Sequence, residues 1–252
     1  MTAIDTIHPA PAPATKNSFQ RLAGVLFAPA ETFADIARRP DILIPLLLFV
    51  ILGYVTMFVS MPHYDFDAAF AQQAEMMKKQ NPNMSDADLD RVASFSKATM
   101  KVMQFVGPLF MVAWWAIVAL VLFGAFRMMG GDLGFKQAFS ATLYSWVPLT
   151  LFSIILTVVV VLRKSVDPTE MATIVKSNPA FLVDMKEQPV LYSLLSAFDL
   201  FTIWTIVLLI FGFAAASKFS RAKSAAIVVS LWVVMLVIKV GFAALGAARM
   251  NG

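Results

Sequence analysis

The stretch AFDLFTIWTIVLLIFGFAAASKFSRAK, residues 197–223, decides the fold of this chain. One acid, Asp199, stands near its start, and an unbroken apolar run follows. Three bases close the stretch, namely Lys218, Arg221 and Lys223. About 20 apolar residues in a helix cross the hydrocarbon core of a bilayer, and bases beside a span set its orientation. We therefore predict a transmembrane helix that carries an orientation signal at its end.

The composition of the whole chain is that of a membrane protein. Of its 252 residues, 59% are hydrophobic, against about 45–50% in soluble domains, and the mean hydropathy is +0.75. Charged residues make up only 14% and fall between the apolar runs. The fold class we predict is all-α, a polytopic membrane protein with five transmembrane helices. The predicted spans are residues 42–61, 103–126, 137–162, 190–217 and 225–246.

The residue types argue against several classes of site. Cysteine is absent, which excludes disulfides and thiolate chemistry, and His8 and His63 each stand far from a second ligand, so we expect no metal. The net charge of +4 comes from scattered bases, so we expect no nucleic-acid binding. No HExxH motif, GxSxG motif or Ser/His/Asp set occurs. We therefore expect no cofactor and no enzymatic activity.

The polar segments predict the organisation around the spans. Residues 1–17 are rich in proline and alanine, which predicts a disordered tail, and residues 18–252 form one membrane domain. The loops between spans one and two and between spans three and four predict outward-facing amphipathic helices. Ser85, with Asp88 three residues later, is typical of a helix start. Helical phase continues from there and predicts one long helix that includes the second span.

The segment before the first span predicts two short amphipathic helices. Its apolar residues recur at helical spacing, and Pro29 separates the two helices at a position where a helix tolerates proline. We predict that this pair lies in the membrane interface; packing on the end of the bundle is the alternative, and the sequence leaves both open. The residues assigned to the interface are Phe19, Leu22, Leu26, Phe33, Arg38 and Arg39.

The distribution of bases predicts the orientation of the spans. The two short loops that follow spans two and four together hold five bases, whereas the two long loops balance their bases with acids. Cytoplasmic loops of membrane proteins carry the excess of lysine and arginine. We therefore predict a cytoplasmic N-terminus, with the C-terminus and both long loops outside.

Lys239 is the one base well inside a predicted span. A charge near the middle of a bilayer costs on the order of 2.5–3.5 kcal/mol on insertion scales. Asp199 lies at a similar depth on the preceding antiparallel span, so we predict a structural ion pair between the two. The alternatives are that Lys239 snorkels to the outer boundary, or that the two charges form a substrate or proton site.

Small residues and a proline predict how the spans pack. Gly212 and Ala216 form a small-xxx-small pattern, which allows close approach of helices, and we assign it to packing within the bundle. Pro148, in the third span, is the third residue that we assign to helix packing.

Three strings in order resemble the Yip family, whose name refers to a Ypt/Rab-interacting-protein domain. They are LAGVLFAPAETFADIARRPDILIPLLL at residues 22–48, GGDLGFKQAFSATLYSWVPL at residues 130–149, and the opening stretch with Asp199, Phe201, Trp204 and Gly212. The resemblance implies five spans and a cytosolic N-terminus. Eukaryotic members resemble trafficking factors that bind prenylated Rab GTPases. This chain lacks their long N-terminal region and looks more like the bacterial branch, so GTPase binding does not carry over.

Together these observations predict a non-enzymatic integral membrane protein of the membrane-organising or trafficking type. It would act through protein or lipid contacts in a bacterial inner membrane. The expected partner is the lipid bilayer, with other membrane proteins or a second copy of the chain as further candidates. The alternative is a small transporter or channel component that uses Asp199 and Lys239.

Overall fold

A computed structural model of the chain describes residues 16–163, 165–167, 171–185 and 187–251. The predicted tail lies outside the described residues apart from Lys16 and Asn17. Within these ranges, five helical stretches are long and apolar enough to cross a membrane. The described ranges contain no β-strand, only one isolated bridge between Tyr64 and Val166. These findings confirm an all-α polytopic membrane fold. The five stretches are Leu43–His63, Asp86–Met128, Phe135–Leu162, Leu200–Ser217 and Arg221–Ala248.

Eleven α-helices are described within those ranges, and two single turns of 3₁₀ helix, Met61–His63 and Pro179–Leu182, lie between them. The α-helices are α1 Ser18–Phe27, α2 Pro29–Arg38, α3 Leu43–Ser60, α4 Phe66–Gln80, α5 Asp86–Met128, α6 Phe135–Ser145, α7 Val147–Leu162, α8 Met171–Ile174, α9 Pro189–Leu195, α10 Leu200–Ser217 and α11 Arg221–Asn251.

Local sequence signals set several helix starts. Pro29 is the first residue of α2, as predicted, and the side chain of Ser85 caps α5 by accepting from the Asp88 backbone N–H. Helix α5, which follows this cap, runs for 43 residues and includes the second span, which confirms the prediction of one long helix. Pro108 interrupts its hydrogen bonding, and Tyr54 donates to the carbonyl of Phe105 just before it, at 2.6 Å.

The third span is divided, because Trp146 leaves the α-helical path between α6 and α7. The Trp146 N–H donates to the carbonyl of Leu143, three residues back, at 3.0 Å. Pro148 then stands at the second position of α7 and has no N–H for the preceding turn. This proline is buried at the break, so its effect is on the path of the helix as well as on its packing.

The fourth span differs from the prediction at its N-terminal end. A single helix from residue 190 was expected, but the structure has two helices, α9 and α10, with a break at Ser196–Asp199. Asp199 caps α10 by accepting from the backbone N–H groups of Phe201 and Thr202, at 2.9 and 3.1 Å. In its described parts, the loop before it holds α8 and a single turn of 3₁₀ helix.

Helix α10 is the centre of the bundle. It packs against α2, α6, α7 and α11, and 39% of its apolar window is buried, against 11–22% for the other four spans. Two core clusters meet on it, because Leu208 belongs to one of them and Leu209 and Phe213 to the other. The opening stretch of the sequence therefore lies where the helices converge.

Close packing of α10 depends on Gly212. A Cβ at this position would lie 3.0 Å from the Phe33 ring of α2 and 3.2 Å from the Ala141 Cβ of α6. Glycine removes that obstruction, so two helices approach α10 at one level. Gly212 and Ala216 are both buried within the bundle.

We expect Gly212→Val to lower the stability of the bundle by about 1–3 kcal/mol, because the new side chain overpacks the contact with Phe33 and Ala141. The measurement is the thermal midpoint of the purified chain in detergent. Gly241→Val is the matched control, since a Cβ at Gly241 meets nothing within 4 Å. Equal midpoints for the two variants would contradict the packing role of Gly212.

Candidate functional site

One end of the bundle gathers the N-terminal helix pair and the two short loops. Gln137 of α6 donates to the carbonyl of Ala37 at 2.8 Å, and Lys218 pairs with Asp132 at 2.8 Å. Lys223 donates to the carbonyl of Met129 at 3.0 Å. We call this end the basic end. Besides the buried Arg21, its basic residues are Lys16, Arg38, Arg39, Arg127, Lys136, Lys218, Arg221 and Lys223.

Arg21 is a buried charge at the basic end. Its residue is 4% exposed, and Asp35 of α2, its main partner, is 6% exposed. The Arg21 Nε and Nη2 atoms both lie 2.9 Å from Asp35 Oδ2. Arg21 Nη1 donates to the carbonyl of Arg39 at 2.9 Å and to Asp41 Oδ1 at 2.5 Å. One guanidinium thus joins α1, the end of α2 and the linker to the first span.

Asp41 connects this pair to the bundle. Its Oδ2 accepts from the hydroxyl of Ser18 at 2.5 Å and from that of Tyr144 at 2.8 Å. Its carbonyl accepts from the hydroxyl of Ser140 at 2.8 Å. Because Ser140 and Tyr144 belong to α6, the linker is bound to the third span. We call Ser18, Arg21, Asp35, Asp41, Ser140 and Tyr144 the polar node.

The charges of the polar node are matched to their burial. Burial by itself lowers the pKa of the Arg21 guanidinium, but hydrogen bonds and negative charges from Asp35 and Asp41 together raise that pKa above its ordinary value. Arg21 therefore stays charged. A second base, Arg38, lies 3.8 Å from Asp35 on the exposed side. Removing one partner of a buried ion pair leaves the other charge buried and unpaired, which is strongly destabilising. The node therefore holds the helix pair in place.

An open groove of about 720 Å³ lies beside the polar node. It runs between the start of α1, the linker after α2, the first turn of α3 and the start of α6. Arg39 and Lys136 line it with exposed side chains, and neither forms an ion pair within the described ranges. Lys16, also in the lining, pairs with Glu31 at 3.0 Å. The groove therefore presents uncompensated positive charge.

The structure divides the residues that were assigned to the membrane interface. Phe33 is 1% exposed and packs against α10, and Leu22 and Leu26 are half-buried against the same core. Phe19 is 64% exposed, and Arg38 and Arg39 are also exposed. The helix pair is thus docked on the bundle end, and Phe33 is a core residue rather than an interface residue. The cause is Gly212, which leaves room for the ring.

Asp199 and Lys239 have separate partners. The Asp199 carboxylate caps α10 and accepts a short hydrogen bond from Ser177, while Lys239 Nζ donates to Ser196 Oγ at 2.8 Å. The predicted ion pair is not formed among the described residues. The break between α9 and α10 explains this result, because it creates free N–H groups for the acid to cap and frees Ser196 for the lysine.

Two cavities open between α3, α5 and α7. One has a volume of about 570 Å³ and is lined by apolar groups around Trp115 and Pro108, and the other, of about 390 Å³, is lined by several methionines. Neither contains Asp199 or Lys239. Over the part of the chain that the structure describes, no three His, Cys, Asp or Glu side chains are grouped as a metal site would need.

The polar node was not predicted from the sequence, although the sequence contains a pattern that indicates it. Ser18, Arg21 and Val25 recur at helical spacing and are the buried residues of α1, so the base lies in the inward stripe. Asp35 lies beside Phe33 and Ile36 in the buried stripe of α2. Opposite charges within the inward stripes of two consecutive short helices predict a buried pair.

Comparison with known proteins gives one family. A family model described as the Yip1 domain matches residues 23–242 of this chain. No curated protein and no solved structure matches it.

We expect Arg21→Met to destabilise the protein by about 3–5 kcal/mol, because it leaves Asp35 buried without its main counter-charge. The readouts are the thermal midpoint in detergent and the rate at which protease cuts between α2 and α3. Arg38→Met is the control, since the Arg38 side chain is 61% exposed and lies 3.8 Å from Asp35, so that its loss should cost at most about 1 kcal/mol. A loss as small for Arg21→Met as for Arg38→Met would show that the polar node does not hold the helix pair.

Proposed function

This chain belongs to the Yip1 domain family, and from that premise we propose that it is a non-enzymatic membrane protein that works by contact with proteins or lipids. The observation that carries the proposal is the docked helix pair at the basic end. The polar node holds α1 and α2 in a defined position, and their outer faces present Arg38, Arg39 and Phe19. A fixed, charged and partly apolar surface is suited to recognition. In this it resembles the membrane-organising members of the family.

The chemistry of the polar node supports a non-enzymatic role. Both side-chain oxygens of Asp41 accept hydrogen bonds from within the chain, and the Arg21 guanidinium is engaged by Asp35 and Asp41. A general acid or base needs an atom within reach of a substrate proton. The donors and acceptors of the node form hydrogen bonds that join α1, the linker and α6.

The transporter alternative rests on Asp199 and Lys239, which have structural partners. Most intramembrane charges used in transport face a water-filled route or pair with one another. Asp199 serves as a helix cap and Lys239 reaches Ser196, and the cavities between α3, α5 and α7 contain neither residue. These contacts favour the contact-based role over transport.

The orientation we propose places the basic end in the cytoplasm of a bacterium, with the inner membrane as the site of residence. The basic end holds the helix pair and both short loops, and the opposite end holds α4 and the start of α5, where acids outnumber bases. The excess of lysine and arginine on one side supports this orientation. The C-terminal end of α11 then lies outside.

A photocrosslinking residue at Arg38 should trap a partner in native membranes, because this side chain is 61% exposed on the docked pair. The same residue at Arg91, which is 84% exposed near the start of α5, is the matched control. Mass spectrometry of the trapped products identifies the partner. If position 38 traps no more protein or lipid than position 91, the helix pair is not a contact surface and the proposed function fails.

Single-cysteine labelling tests the orientation cleanly, because the chain has no cysteine of its own. Asp90→Cys, near the start of α5, should react with a membrane-impermeant maleimide in intact spheroplasts. Arg127→Cys, at the other end of the same helix, should react only after the membrane is opened. The reverse pattern would overturn the cytoplasmic placement of the basic end.

A further inference from the structure

We propose that the groove beside the polar node binds the phosphate of an anionic phospholipid, with its acyl chains along α3. This inference rests on the lipid contact in the proposed function and names its site and ligand class. Three features of the groove fit this ligand: its positive charge, its level in the membrane and the apolar surface that leads out of it.

The charge of the groove is complementary to an anion. The exposed guanidinium of Arg39 and the exposed ammonium of Lys136 line the groove. They come from two different elements, the linker after α2 and the start of α6. Neither forms an ion pair within the described ranges. Asp41 is the one acid in the lining, and Arg21 already neutralises it at 2.5 Å. The groove is therefore short of an anion, and a phosphate accepts from both basic groups.

The groove lies beside the start of the first span. Ile44 forms part of its lining and lies in the first turn of α3, which is the first span. At about 1.5 Å rise per residue, the groove therefore lies within one helical turn of the start of the hydrocarbon core. Phe19, on the rim of the groove, is 64% exposed and suits the boundary between headgroups and acyl chains. This is the level at which lipid phosphates lie.

An apolar track along α3 begins in the groove. Exposed side chains recur along α3 at intervals of three and four residues, so they form one straight stripe on the helix. The stripe starts at Ile44 in the groove and continues down the span. Its members are Ile44, Leu47, Ile51, Val55 and Phe58, each between 43% and 57% exposed. Positive charge joined to such a stripe fits a phospholipid and does not fit a free anion or an acidic peptide.

The polar node explains why the groove keeps its shape. The carbonyl of Arg39 accepts from Arg21 Nη1 at 2.9 Å, so the backbone that carries the Arg39 side chain is anchored. Gln137, next to Lys136, donates to the carbonyl of Ala37 at 2.8 Å. Both basic groups thus stand on backbone that is already ordered. A preorganised site loses less free energy of ordering when the ligand binds.

The test measures lipid binding to the purified full-length chain by native mass spectrometry. Phosphatidylglycerol and phosphatidylcholine with identical acyl chains are the two probes. We expect the wild-type chain to bind phosphatidylglycerol more tightly. The double variant Arg39→Gln with Lys136→Gln should weaken that binding by up to about 25-fold, since each exposed ion pair made directly to the phosphate contributes up to about a factor of five. Binding of phosphatidylcholine should stay unchanged.

Matched controls separate a site from general attraction. Arg221→Gln with Lys223→Gln removes the same charge from the basic end outside the groove and should leave phosphatidylglycerol binding nearly unchanged. The charge-keeping variant Arg39→Lys with Lys136→Arg should keep most of it. The thermal midpoint of each variant shows whether the chain is folded. Equal weakening by both double Gln variants, or equal affinity for the two lipids, would overturn the proposal.

Two further arms identify the source of the phosphate. Inorganic phosphate alone, added to the chain in detergent, should not raise the thermal midpoint, whereas phosphatidylglycerol should. Ile44→Gln interrupts the apolar track and should weaken phosphatidylglycerol binding with Arg39 and Lys136 intact. A midpoint rise with inorganic phosphate that matches the lipid effect would assign the groove to a soluble anion instead. Protein crosslinks at Arg38 that persist when lipid binding fails would leave the proposed function standing.

Discussion

The buried guanidinium of Arg21 is the constraint on which the rest of this architecture depends. It donates to two carboxylates and a backbone carbonyl, each supplied by a different part of the N-terminal segment. Taking such a charge out of water costs several kcal/mol, so the charge is tolerated only where Asp35 and Asp41 compensate it. The same contacts position α2 over α10, and there the Phe33 ring fills the space that Gly212 leaves. Docking of the helix pair and packing of the central span thus share the contact between Phe33 and Gly212.

The contacts of Arg21 and Gly212 provide the association between helices that apolar side chains alone do not provide in lipid. Within the hydrocarbon core, apolar side chains gain little by leaving lipid for one another, so helices associate through close packing and polar contacts. The chain uses close packing at Gly212 and polar contacts at the basic end, where Ser140 and Tyr144 bind Asp41. The spans away from α10 remain largely lipid-facing, with 11–22% of their apolar windows buried. Specific contact is concentrated at one end of the bundle.

Concentration of contacts at the basic end also explains where function is expected. The groove, the exposed bases and the docked pair lie together there, while the two intramembrane charges have structural partners. Lys239 and Ser196 illustrate how a costly group is accommodated by the nearest hydroxyl when a helix breaks beside it. A charge in a span is a reason to look for function. Here its surroundings favour a role in holding α9 against α11.

Features that depend only on residues close together in the chain could be predicted from the sequence. The five spans, the helix start at Pro29 and the cap at Ser85 could be predicted, because span length, proline geometry and capping are local properties. Which helix faces pack together, in contrast, depends on the tertiary structure. The sequence pattern left Arg21 as one base among many and suggested Lys239 as the partner of Asp199. The partners of these side chains come from distant segments, and their choice depends on how the helices pack, which periodicity does not encode.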